Sequence, residues 1–125
     1  MKSVQTIDAR TLRDWIEKNE ALLIDVREAH EYARGHIPGS VPKPLSRLGS
    51  EDLPEADGRK VVVCCASGAR SLIAAEKLLA AHYGGVFNLH GGMSGWQLAG
   101  FDIEQDRDAG SGILDSVFAA FRGAR

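Results

Sequence analysis

The sequence has few cysteines and no long apolar run, and each shortage excludes a class of protein. Its two cysteines, Cys64 and Cys65, are adjacent. Neighbouring Cα atoms about 3.8 Å apart are too close for the roughly 5.5 Å spacing of a structural disulfide. No stretch approaches the roughly 20 apolar residues that cross a bilayer. Residues 1–12 carry charges and no apolar run, so we expect no secretory signal and a cytoplasmic protein.

An excess of one charge is also absent. The chain has 15 Lys and Arg against 17 Asp and Glu, a formal net charge of -2, which argues against nucleic acid as a partner. The four histidines are scattered without the spacing of metal ligands, so we expect neither a metal nor a cofactor. A chain of 125 residues with 44% hydrophobic content fits one domain with an ordinary core.

Short apolar runs alternate with helical patterns along the chain. The strand candidates are residues 4–7, 21–26, 41–45, 61–64 and 86–89. The helix candidates are residues 8–19, 28–34, 71–82 and 93–99. This alternation predicts an α/β fold with a central, mostly parallel five-stranded sheet flanked by helices on both faces. Pro42 and Pro44 restrict the third strand to an edge of that sheet.

The segment after the strand at 61–64 carries the chemistry. Cys65 stands at the carboxyl end of this strand, where parallel sheets bind ligands. Between Cys65 and a helix expected at Ser71 lie small or flexible residues, namely Ala66, Ser67, Gly68, Ala69 and Arg70. Inward-turned N–H groups beside a helix N-terminus form an anion site and stabilise a thiolate. We therefore expect Cys65 to be exposed at the floor of a pocket with a lowered pKa; the alternative is an ordinary joint with a buried thiol.

Three stretches of the chain resemble the single-domain rhodanese homology family. Residues 65–71, CASGARS, resemble its C-x-x-G-x-R-S active loop. Residues 23–40 resemble its D-V-R, E-(F/Y) and G-H-I-P-G-A segment, and residues 88–96 resemble its L-x-G-G-x-x-x-W segment. The three occur in the family's order, and the resemblance covers residues 4–104.

The resemblance implies a single rhodanese-like domain that transfers sulfur in two steps. The Cys65 thiolate would attack the outer sulfur of a small anionic donor such as thiosulfate and release sulfite. The resulting persulfide would pass its sulfur to a thiol, cyanide or protein acceptor. Residues 66–71 would hold the sulfur and the anion, with Arg70 pointing inward or pairing with a carboxylate. Asp25 and Arg27 would support the loop as a structural charge pair.

Two other function classes stay open. Read from Cys64, the segment ending at Arg70 has the C-x5-R spacing of phosphatases, and the rhodanese-like fold is shared with dual-specificity phosphatases whose loop is one residue longer. Phosphatase or arsenate-reductase chemistry is therefore one alternative, although Cys65 places Gly68, Arg70 and Ser71 at the sulfurtransferase positions. A non-enzymatic interaction module, or a persulfide carrier dedicated to one protein acceptor, is the other.

The chain beyond residue 104 lies outside the resemblance. Residues 105–125 are interpreted as a linker followed by a short amphipathic helix over 111–122. Its apolar face would comprise Ile113, Leu114, Val117, Phe118 and Phe121. We expect this helix to dock on the domain or on a second copy of the chain, which would form a homodimer. A membrane is disfavoured because the polar face is not rich in lysine or arginine.

Overall fold

The computed structural model describes residues 3–49 and 52–106. The strands in these residues are β1 Gln5–Ile7, β2 Ala21–Asp25, β3 Val41–Pro42, β4 Lys60–Cys64 and β5 Phe87–Leu89. The α-helices are α1 Ala9–Glu17, α2 Ala29–Arg34, α3 Ala69–Ala81 and α4 Gly92–Leu98, with one 3-10 turn at Leu45–Arg47. The helix predicted over 111–122 lies outside the described residues.

The five strands form one sheet in the order β1-β5-β4-β2-β3, and every adjacent pair is parallel. The prediction of a mostly parallel five-stranded sheet is therefore confirmed. β4 and β2 lie next to each other in the middle because their residues are apolar on both faces. β3 lies at an edge, as its proline requires. The carboxyl ends of β2, β4 and β5 consequently meet at one edge of the sheet.

Helices cover both faces of the sheet, again as predicted. One core cluster packs α3 against Leu22, Ile24, Val61 and Val63. The other packs α1 and α4 against Leu23, Val62 and Leu89 on the opposite face. None of the helices in residues 3–49 and 52–106 is long and apolar enough to cross a membrane.

The two cysteines at the end of β4 point to opposite faces of the sheet. Because successive side chains of an extended segment point to opposite faces, Cys64 belongs to the cluster under α1 and α4. Cys65 belongs to the cluster under α3. Two adjacent thiols of the same sequence doublet therefore lie in different environments.

The helix after the cysteines begins earlier than the sequence predicted. α3 begins at Ala69, two residues before the expected start at Ser71. The reason is Gly68, which precedes the helix with φ +108, a backbone conformation that side chains rarely allow. Ala69, Arg70 and Ser71 therefore belong to the first turn of α3, and the loop proper is 66–68.

Candidate active site

Cys65 lies directly after β4, with the turn into α3 folded over its sulfur. The Gly68 N–H donates to Cys65 Sγ at 3.1 Å, and Sγ lies 3.3 Å from Ser71 Oγ. The loop encloses the thiol so closely that Cys65 is only 1% exposed. The expectation of a cysteine exposed at a pocket floor was therefore wrong, because Gly68 and Ser71 approach the sulfur itself.

The surroundings of Cys65 favour the ionised thiol. Burial opposes ionisation, but the Ser71 hydroxyl and the N–H groups of Ser71, Gly68 and Ser67 offer hydrogen bonds to the thiolate. These hydrogen bonds outweigh burial and hold the pKa of Cys65 below its ordinary value. The prediction of a lowered pKa is confirmed in direction. A thiolate can therefore form here without a neighbouring histidine as base.

Cys64 has the opposite electrostatic environment. It is 0% exposed on the other face of the sheet. Burial raises the pKa of the Cys64 thiol well above its ordinary value, and the negative charge of Asp25 raises it further. Cys64 therefore stays protonated near neutral pH, whereas at Cys65 hydrogen bonds outweigh the effect of burial.

Arg70 pairs with Glu31 on α2. Its Nη1 and Nη2 lie 2.7 and 2.8 Å from the two carboxylate oxygens of Glu31. This bidentate contact lowers the pKa of Glu31 to about 2 against the opposing effect of burial. Glu31 Oε1 also accepts the Glu28 N–H at 3.0 Å and so caps α2. Of the two orientations left open for Arg70, the structure has the one that braces α3 against α2.

Asp25 and Arg27 form a buried charge pair at the end of β2. The Asp25 carboxylate accepts the Arg27 backbone N–H at 3.0 Å and Nη2 at 2.8 Å. Arg27 Nη2 also donates to the Gly35 carbonyl at 2.7 Å. The pair therefore fixes the turn after β2 and the end of α2, which carries Glu31. Its contacts connect it to the active loop through Glu31 and Arg70.

Asn88 on β5 is a site residue that sequence reasoning missed. Its Oδ1 lies 2.5 Å from Ser71 Oγ, and its Nδ2 donates to the Gly68 carbonyl at 3.3 Å. β5 pairs in parallel with β4, and Val63 is the register partner of Asn88. The position of Asn88 in the sequence could have revealed it. A buried polar residue in a strand beside β4 needs a hydrogen-bond partner, and the ends of the two strands lie at the same edge of the sheet.

The start of α4 holds the active loop from the other side. The N–H groups of Met93 and Ser94 donate to the carbonyls of Cys65 and Ala66 at 2.8 and 3.0 Å. This approach requires Gly92, whose φ is +52 and where an added Cβ would overlap the Cys65 carbonyl oxygen. The resemblance of residues 88–96 to the family segment does not by itself give Gly92 a physical role, and its contact with the loop backbone does.

The predicted loop residues thus have distinct positions. The Gly68 N–H donates to the sulfur, the Ser71 hydroxyl lies beside it, and the Ser67 N–H favours the ionised thiol. Ala66 is held through its carbonyl, and Ala69 begins α3. Arg70 pairs with Glu31 and interacts with Cys65 only through its charge.

Comparison with known proteins identifies the family of this domain. The family model described as Rhodanese-like domain matches residues 8–99. The chain belongs to this family. A curated protein of Allochromatium vinosum named Sulfurtransferase is 36% identical over 101 residues, which are 80% of this chain and 94% of that protein. The rhodanese-like domain described here therefore has a relative of nearly its own length that carries a sulfurtransferase name.

Two further comparisons define how far the similarity extends. An uncharacterized protein of Synechocystis is 35% identical over 112 residues, and the match spans 90% of this chain but 63% of that protein. A rhodanese-related protein of Thermoplasma volcanium has a crystal structure that superposes with a TM-score of 0.73 at 30% identity. That superposition covers 82% of this chain and 99% of the other. The rhodanese fold of the chain is thereby established.

Proposed function

We propose that this rhodanese-like domain is a thiosulfate sulfurtransferase that moves a sulfane sulfur from thiosulfate or a persulfide donor to a thiophilic acceptor through a Cys65 persulfide. The observation that carries the proposal is the close approach of the Gly68 N–H and the Ser71 hydroxyl to one thiol. The Gly68 N–H lies 3.1 Å from Sγ, and Ser71 Oγ lies 3.3 Å from it. A reactive thiolate with no disulfide partner fits a reducing compartment such as the cytoplasm.

The first step forms the Cys65 persulfide. The thiolate attacks the outer sulfur of thiosulfate, a new S–S bond forms, and the S–S bond of the donor breaks. The bonding pair leaves with sulfite, so no external oxidant or reductant is needed. The backbone N–H groups and the Ser71 hydroxyl that favour the thiolate would also favour negative charge on the transferred sulfur.

The second step regenerates the enzyme. An acceptor thiolate, cyanide or a protein thiol attacks the terminal sulfur, and the Cys65 thiolate leaves. Its lowered pKa makes it a good leaving group, because a stabilised thiolate departs more readily. The two half-reactions predict ping-pong kinetics.

The test compares the two cysteines as matched variants. The mass of the intact protein is measured after incubation with thiosulfate and removal of the excess. The native chain and Cys64→Ser should gain one sulfur atom, whereas Cys65→Ser should gain none. Sulfur loading that survives in Cys65→Ser and disappears in Cys64→Ser would refute the assignment of the nucleophile.

Phosphatase chemistry is the second candidate, and the C-x5-R spacing from Cys64 to Arg70 favours it. Its nucleophile would have to be Cys64, which is buried under α1 and α4 with a raised pKa. We therefore expect negligible hydrolysis of an aryl phosphate beside sulfur transfer. Efficient hydrolysis that is lost in Cys64→Ser would reverse the order of the two candidates.

A further inference from the structure

The Asn88 side chain lies between two parts of the active loop. It is 7% exposed, on β5 beside β4. One end of its amide is 3.3 Å from the Gly68 carbonyl oxygen, and the other is 2.5 Å from Ser71 Oγ. Because the Gly68 carbonyl can only accept, the amide NH₂ must face it. The amide oxygen Oδ1 therefore faces the Ser71 hydroxyl.

The Ser71 hydroxyl has one proton and three neighbours that can accept it. These are Asn88 Oδ1 at 2.5 Å, the Gly68 carbonyl at 3.2 Å and Cys65 Sγ at 3.3 Å. Asn88 Oδ1 is the closest and carries no proton, so this contact requires the Ser71 O–H to point at it. Ser71 Oγ then presents a lone pair to the sulfur and accepts the S–H of the neutral Cys65 thiol.

Ionisation of Cys65 reverses this arrangement. A thiolate carries no proton and can only accept, so Ser71 stabilises it by turning its O–H from Asn88 to Sγ. The neutral and ionised forms of Cys65 therefore correspond to two directions of one hydroxyl. Asn88 Oδ1 competes with the sulfur for the proton of Ser71.

We propose that Asn88 is a positioning residue that sets the direction of the Ser71 hydroxyl and so controls how strongly the Cys65 sulfur is stabilised when it carries negative charge. The proposal rests on the proposed function in taking Cys65 as the reacting group. The exchange of hydrogen bonds, however, concerns the resting thiol. It can be measured without any sulfur donor, so its failure is distinguishable from failure of the sulfurtransferase assignment.

Two substitutions of Asn88 should shift Cys65 in opposite directions. Asn88→Leu keeps a side chain of similar size but removes the competing acceptor, which frees the Ser71 hydroxyl for the sulfur. Its thiolate fraction near neutral pH should rise about 3- to 10-fold, the range expected for the net contribution of one ordinary hydrogen bond. Asn88→Asp supplies a charged acceptor that holds the hydroxyl and repels the thiolate, so its thiolate fraction should fall.

The measurement is the rate of iodoacetamide alkylation of Cys65 against pH, followed by peptide mass so that Cys64 does not contribute. The other groups around Cys65 are identical in all the variants. They are Arg70 on α3, which interacts electrostatically with Cys65, the Cys64 thiol on β4 and the uncharged Met93 on α4. Thermal unfolding of each variant verifies that it is folded, and Asn88→Asp carries the test if Asn88→Leu does not fold.

The decisive control repeats both substitutions in a Ser71→Ala background. If Asn88 acts through the Ser71 hydroxyl, each substitution should shift the alkylation midpoint less in the Ser71→Ala background than in the native background. In particular, the increase caused by Asn88→Leu should vanish. An equal shift with and without Ser71, or no shift in either background, would overturn the proposal and leave Asn88 a support of the Gly68 carbonyl.

Discussion

Substitution of Gly92 by alanine tests how the active loop is held. Gly92 has φ +52 at the start of α4, where the N–H groups of Met93 and Ser94 bind the carbonyls of Cys65 and Ala66. A Cβ at Gly92 would overlap the Cys65 carbonyl oxygen and approach Ala66 backbone atoms to 2.9 Å. These are backbone atoms, which cannot rotate away as a side chain can. The loop or the helix must therefore move.

The expected cost has two parts. A Cβ at positive φ costs roughly 1–2 kcal/mol, and forcing atoms into an occupied space adds typically about 1–3 kcal/mol. Gly58→Ala is the matched control, because Gly58 has φ +80 but no heavy atom within 4 Å of the added Cβ. The difference between the two variants isolates the overlap. At about 4–8 °C per kcal/mol for a domain of this size, Gly92→Ala should melt at least several degrees below Gly58→Ala.

The assay pairs thermal unfolding with sulfur loading from thiosulfate at a temperature where both variants are folded. Gly58→Ala should load sulfur like the native chain, whereas Gly92→Ala should load slowly because its Cys65 carbonyl and Sγ are displaced. Equal melting temperatures and equal loading in the two variants would refute the claim that α4 positions the loop.

Three further predictions concern the cysteines, the Arg70 brace and the tail. Alkylation of Cys65 should titrate below the pKa of an ordinary thiol, about 8.5, while Cys64 stays unmodified in the folded protein. A Cys65 midpoint at or above that value would contradict the role of the loop hydrogen bonds. Glu31→Gln keeps the cap of α2 but removes the ion pair, and should cost on the order of 1 kcal/mol at pH 7, an amount limited by solvent screening because the Arg70 side chain is 38% exposed. Since the pKa of Glu31 is lowered from 4.5 to about 2, the ion pair stabilises the fold fully above pH 4.5 and is lost as the pH falls toward 2. The difference in stability between Glu31→Gln and the native chain should therefore shrink across that window. A difference independent of pH would argue against the ion pair. Removal of residues 107–125 should preserve sulfur loading but lower the melting temperature or change the oligomeric state. This truncation spares the hydrogen bond from the Asp106 N–H to the Ala33 carbonyl. No change in melting temperature or oligomeric state would contradict a docked tail helix.

The amino-acid sequence by itself determined the class of fold and indicated a candidate for the reacting group. Apolar runs of strand length alternate with helical patterns, and such runs are stable only as buried parallel strands covered by helices. The cysteine at the end of β4, followed by small residues and a helix, predicted an anion-binding loop around Cys65. The inference about the fold succeeded because it depends on residues that are close together along the chain, where periodicity and backbone preference act directly. The anion-binding loop stays a prediction.

The tertiary structure decided the contacts that tune this loop. The direction of Arg70 depends on Glu31 of α2, and the hydroxyl of Ser71 faces Asn88 of β5. The burial of Cys65 depends on how tightly Gly68 turns, which also moved the start of α3 to Ala69. Local sequence cannot determine such contacts, because a hydrogen-bond donor has several acceptors within reach of its side chain. Only the packing of strands and helices that are distant in sequence selects one of them.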